Sequence, residues 1–300
     1  MPRSPHDSTR TRIISGHPLR VRDAGPRDGE ALLIINGSAG NLAVLDPLIT
    51  RLAATRRVLA FDQPGMGHSP AVYPTLDVPG LARLCARVLA DAGVTRVDVV
   101  GYSFGGAVAQ QLALTRPDLV RRLILVAGVY GAGGIPSDPL SSLSVLAHQT
   151  PAQPFCREPA RRAYGGVVAR DDAALTAYEE AIAAAPPDPL SIVGQAVAAS
   201  IWCGLPWLWA LRMPTLVVTG DQDHVVPMSN ARIISALLPQ SRLEVVPGAG
   251  HLLVMDQADD VAALIEAFLS PSLGADAGGS VADVVSLTAA TGRRPRSKSA

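Results

Sequence analysis

A serine between two glycines, Gly101-Tyr102-Ser103-Phe104-Gly105, stands directly after the apolar run 97–102 and before an Ala- and Leu-rich stretch. A serine on a sharp strand-to-helix turn presents its Oγ at a helix N-terminus, where the dipole and unpaired N–H groups favour developing negative charge. Such a hydroxyl becomes a nucleophile when a base takes its proton and a carboxylate orients that base. Six histidines are available: His6, His17, His68, His148, His224 and His251. His251, in Pro247-Gly248-Ala249-Gly250-His251, follows the last apolar run and precedes the last helical stretch. From there a base can reach back across the edge of a sheet. His224 lies too close to the acidic turn for that role, and His68 precedes acid and base in a Gly/Pro turn that reads as structural. The acidic turn, Thr219-Gly220-Asp221-Gln222-Asp223, offers two carboxylates, Asp221 and Asp223. One would orient the imidazole while the other shapes the turn.

Acyl chemistry also needs two N–H donors aimed at one oxygen. Phe104, the residue after the serine, is one candidate. The loop Asn36-Gly37-Ser38-Ala39-Gly40 is built of small residues that let backbone approach a ligand, and Ser38 is the second. No Gly-x-x-x-x-Gly-Lys-Ser/Thr loop and no His/Cys cluster at metal spacing accompany them, so neither cofactor nor metal is expected.

These residues can meet only if strands carry them to one edge. Short runs rich in Val, Ile and Leu at 31–36, 57–62, 97–102, 123–127, 215–219 and 243–246 suit parallel strands buried on both faces. Helical stretches alternate with them: 81–92 stops at Gly93, 106–115 stops before Pro117, and 259–269 closes the series. The alternation predicts an α/β fold, a mostly parallel central sheet flanked by helices. It breaks over 128–212, a stretch rich in Gly, Pro and Ala that holds Trp202, Trp207 and Trp209. That stretch is expected to be an inserted helical cap, with 12–127 and 213–270 as the core and 1–11 and 271–300 as flexible termini. The tryptophans would line an acyl pocket, rest on a hydrophobic surface, or fill a core.

The chain has 300 residues, 48% of them hydrophobic, enough for one large α/β domain with an insertion. Lys+Arg and Asp+Glu both number 26, so no overall basic surface exists for a nucleic acid. Cys85, Cys156 and Cys203 are odd in number and far apart, which argues against a disulfide framework and fits a reducing cytoplasm. The polar, basic start is followed by no long apolar stretch, and no run approaches a membrane span. A cytoplasmic protein is expected.

With these motifs in place, the chain resembles the α/β-hydrolase superfamily over residues 12–270, and within it the intracellular depolymerases of medium-chain-length poly(3-hydroxyalkanoates). The resemblance is carried by the segments 35–41, 60–69, 105–113 and 213–221 and by Tyr164-Gly165-Gly166 in the insertion. Asn36 stands where many superfamily members have His, and the depolymerases are similar in having Asn. The superfamily's Gly-x-x-Asp turn, Gly220 to Asp223 here, implies Asp223 as the acid beside Ser103 and His251. The resemblance further implies a serine hydrolase that cuts a hydrophobic polyester, with the granule surface as partner. Where that family often has Trp after the nucleophile, this chain has Phe104, which implies a different volume beside the scissile carbonyl. A small-molecule esterase, a lactonase or a carbon–carbon bond hydrolase would use the same three residues. A ligand-binding protein on the same fold, without chemistry, is the rival from another class.

Overall fold

A computed structural model describes residues 7–135 and 157–270, together with 139, 144, 145 and 147. Eight strands form one sheet: β1 (Ser8–Ile14), β2 (His17–Ala24), β3 (Ala31–Ile35), β4 (Arg57–Phe61), β5 (Val97–Tyr102), β6 (Val120–Val126), β7 (Thr215–Gly220) and β8 (Ser241–Val246). Their spatial order is β1-β2-β4-β3-β5-β6-β7-β8. From β4 to β8 every pairing is parallel, while β1–β2 and β2–β4 are antiparallel. The six apolar runs are β3 to β8, as expected. The hairpin β1–β2 carries no such run: in Ser8–Ile14 only Ile14 is buried, so its polar residues hide the strand. Residues 8–11, expected to be part of a flexible terminus, are therefore strand.

Helices α1 (Leu42–Leu52), α2 (Val78–Asp91) and α3 (Phe104–Thr115) separate the first parallel strands. The side chain of Asn41 accepts from the N–H groups of Ala43 and Val44 and so starts α1. Asp77 caps α2, which ends before Gly93 in a left-handed conformation. Alternate strand residues Leu33, Ile35, Val97, Val99, Leu123 and Leu125 pack with Leu84, Val88, Val108 and Leu112 of α2 and α3 in one core. Each such side chain contributes about 1.5–3 kcal/mol by leaving water.

Between β6 and β7 lie α4 (Arg157–Tyr164), α5 (Asp172–Ala184), α6 (Pro189–Ile201) and a 3-10 turn (Leu205–Ala210). Asp171 and Asp188 cap α5 and α6. After β7 come α7 (Met228–Leu237), α8 (Leu253–Asp256) and α9 (Ala258–Leu269). The chain groups into two compact units, Met1–Ile265 and Glu266–Ala300, and of the second only 266–270 are described. The expected flexible tail 271–300 and residues 1–6 lie outside the described residues, as do Cys156, His6 and His148. Among the described residues no helix is long and apolar enough to cross a membrane.

Candidate active site

Parallel strands end at one edge, and the loops beyond β3, β5, β7 and β8 gather there. That edge is where open α/β sheets bind ligands. Ser103 sits between β5 and α3 at φ 51° and ψ −120°. A serine at this position ordinarily caps the helix with its own side chain. Here it makes no cap bond; its Oγ lies 3.0 Å from Nε2 of His251. The turn is tight because Gly101 and Gly105 lack side chains. A Cβ on Gly105 would stand 2.2 Å from the Ile35 carbonyl oxygen, and one on Gly101 would stand 2.5 Å from that of Gly105.

Nδ1 of His251 lies 2.9 Å from Oδ2 of Asp223. The other carboxylate oxygen of Asp223 accepts from the N–H groups of Val225 and Val226, at 2.9 and 2.8 Å. In the tautomer in which Nδ1 donates to this carboxylate, Nε2 accepts from the serine hydroxyl. Both His251 and Asp223 are 5% exposed. The structure thus brings Ser103, Asp223 and His251 together in one chain of hydrogen bonds. Asp221 shapes more than its own turn: its Oδ1 accepts from the N–H of Gly248, tying the acid turn to the loop that bears His251. His224 is exposed, with its backbone N–H on the Ala163 carbonyl. His68 lies outside the cavity at Ser103, and its N–H bonds Asp62.

His251 is braced from two sides. Its backbone N–H donates to the Tyr164 carbonyl at 2.7 Å, and its carbonyl accepts from the Tyr102 hydroxyl at 2.9 Å. Burial pushes the Tyr102 hydroxyl well above its ordinary pKa, reinforced by the nearby Tyr178, Asp223 and Asp256, so it stays a donor. Gly165 and Gly166 let the insertion touch these loops closely: their backbones lie against Gln222 and Gly250. The role of Tyr164-Gly165-Gly166 was visible in the sequence only as a motif.

In the loop after β3, the Gly37 N–H bonds Oδ1 of Asn36, the Ala39 N–H bonds Oε1 of Gln195, and the Gly40 N–H bonds the Gly37 carbonyl. Among the described residues, the N–H groups of Ser38 and Phe104 have no acceptor. The ring of Phe104 is buried in the main core rather than in the cavity, so it does not set the volume there. A cavity of about 150 Å³ opens at Ser103, lined by Ser38, Tyr164, Tyr178, Val225, His251 and Leu252 among others. None of the tryptophans lines it. Trp202 packs on the core and donates Nε1–H to Gln111, while Trp207 and Trp209 are exposed. Sequence reasoning assigned no role to Asn41 and Gln63, though both lie in the segments that carry the resemblance, and it missed Gln195, far away in the insertion. No local motif marks Gln195.

Residues 30–258 match the model of the alpha/beta hydrolase fold family, and the chain belongs to that family. It is 34% identical over 239 residues to the poly(3-hydroxyalkanoate) depolymerase of Ectopseudomonas oleovorans, covering 79% of this chain and 83% of that protein. A segment of the polyketide synthase ThaQ of Burkholderia thailandensis is 32% identical over 267 residues, 84% of this chain but 12% of that much longer protein. Among solved structures, the enol-lactonase from Burkholderia xenovorans LB400 shares the fold with a TM-score of 0.76 at 19% identity, over 86% of this chain and 99% of that one.

Proposed function

We propose that this chain is a serine hydrolase that cleaves carboxylic esters through an acyl-enzyme. The observation that carries the reading is the line Ser103 Oγ, His251, Asp223, at 3.0 and 2.9 Å. His251 Nε2 takes the serine proton as Oγ attacks the ester carbonyl. The N–H groups of Ser38 and Phe104 receive the oxyanion. Collapse expels the alcohol, which leaves with the proton from His251. Water, deprotonated in turn by His251, then releases the acid and restores Ser103.

The substrate class we infer is a hydrophobic polyester of the poly(3-hydroxyalkanoate) kind, with 128–212 acting as a cap. Two observations support this. One is the relationship to the depolymerase. The other is the outer face of α6, where Leu190, Val193, Val197 and Ile201 recur at helical spacing and are each more than half exposed. Residues 189–211 carry no charged side chain at all. Such a face suits an apolar granule surface. The second reading, a small ester or lactone, is favoured by the cavity: about 150 Å³ is below the usual range for larger ligands.

The test is acid release from a suspended medium-chain polyester, run beside soluble p-nitrophenyl esters. Ser103→Ala should lower both activities by about 10⁴-fold or more. Hydrolysis of soluble esters alone would assign the small-ester reading. An unchanged Ser103→Ala variant would remove the serine mechanism.

A further inference from the structure

Two side-chain amides and one peptide carbonyl form a directed chain behind the loop that carries Ser38. The Ala39 N–H donates to Oε1 of Gln195 at 3.1 Å. Nε2 of Gln195 donates to Oε1 of Gln63 at 2.9 Å. Nε2 of Gln63 donates to the Asn36 carbonyl at 2.9 Å. The chain begins at a group that can only donate and ends at one that can only accept, so neither amide can be flipped without breaking a link. Asn36, Gln63 and Gln195 are all buried, at 1, 1 and 5% exposure. An unmatched amide there would be costly.

The three links come from three places: the loop after β3, the loop after β4, and α6 in the insertion. What they hold is strained. Ala39 has φ 56°, in the left-handed region that residues with a Cβ rarely adopt. A residue persists there only when its surroundings over-determine it. The same bond also consumes the Ala39 N–H. With Gly37 and Gly40 bonded as well, the Ser38 N–H is, among the described residues, the one backbone donor of 37–40 left for a ligand.

We propose that Gln195, on the inner face of α6, is a positioning residue for the oxyanion donor at Ser38. It acts through Ala39 and Gln63 and touches no reacting atom. This rests on the serine-hydrolase reading above. Stabilisation of an oxyanion depends steeply on where its donors point, and Gln195 sets that direction from outside the core of the sheet.

The test compares wild type, Gln195→Glu, Gln195→Leu and Ser103→Ala on a soluble p-nitrophenyl ester. Gln195→Glu keeps the size of the side chain and its acceptor but removes the donor to Gln63. Its kcat should fall about 10- to 100-fold with KM changed less than about twofold. The Ki of a trifluoromethyl ketone, which places an oxyanion at the same donors, should rise by the same factor. Amide exchange at 37–40 should speed up in both Gln195 variants, a readout independent of turnover. A folded Gln195→Glu with wild-type kcat and Ki overturns the proposal while Ser103→Ala remains inactive and the serine reading stands. If Ser103→Ala is as active as wild type, both fall.

Discussion

At Ser103 the backbone holds a conformation that costs about 1–3 kcal/mol in isolation. It persists because its N–H bonds the Val126 carbonyl at 2.9 Å and its own carbonyl accepts from Gly106 at 2.9 Å. Ala39, in the loop after β3, and Ala127, directly after β6, share the positive φ and lie beyond the two strands that flank β5. Apart from Ser15 in the β1–β2 turn, the described non-glycine residues at positive φ thus lie along the edge where Ser103 and His251 stand. A different residue-scale effect arises at Asp256, on α8. Burial lifts its carboxyl to a pKa of about 6, offset only in part by the N–H groups of Asp256 and Val168 and the charge of Arg170. A carboxyl whose folded pKa exceeds its unfolded value, 3.8 here, favours the folded state fully below 3.8 and loses that contribution as pH rises through 6. Asp256→Asn should therefore stabilise the protein by about 2 kcal/mol at pH 8. The gain should shrink towards zero near pH 4, as followed by urea melts across pH.

Among the elements, the segment that ends α4 matters more for the site than its length suggests. Tyr164 offers its carbonyl to the His251 N–H, and Gly165 and Gly166 lie directly on the loops that carry Asp223 and His251. Gly166 has φ 59°, and a Cβ there would stand 2.1 Å from the Gly250 nitrogen. Gly166→Ala must push α4 away from the base loop. Its cost in stability should be about 1–3 kcal/mol. The larger effect should be on turnover of soluble esters, a fall of about tenfold as His251 loses its brace. Equal losses of turnover and folded fraction would show that the glycine serves packing alone. The core also closes the insertion: Asn41, which starts α1, donates to the carbonyls of Ala181 and Ala185 at the end of α5.

For the whole molecule, α6 faces two ways. Ile192, Gln195 and Ala198 point inward to the core and the loop after β3, while Leu190, Val193, Val197 and Ile201 point to solvent. Two neighbouring exposed valines replaced by aspartates, Val193→Asp with Val197→Asp, should leave soluble-ester turnover within about twofold of wild type. Hydrolysis of suspended polyester should fall about tenfold or more, since each tenfold corresponds to the burial of about two methylene groups. Parallel loss on both substrates would place the face inside the folding core instead of on the polymer.

Much of this was written in local sequence. Five buried strands, β3 to β7, announce themselves because parallel strands covered on both faces need continuous apolar runs, and the edge strand β8 keeps a shorter one. The serine turn is legible because its geometry demands glycine on both sides, and chain order then points to His251 and to the acidic turn. The hairpin β1–β2 escaped because β1 is largely exposed and β2, though mostly buried, interrupts its apolar residues with Arg20, Arg22 and Asp23. Asp221 was legible as a turn residue but not as the tie to Gly248. Gln63 and Gln195, 132 residues apart, form one buried amide pair that no spacing rule could join. Residue type and periodicity are local properties, so the sequence by itself determined the six parallel strands and the candidate residues Ser103, His251 and the acidic turn. Which polar groups satisfy each other in the interior is a property of approach in space, and only the tertiary structure decided it.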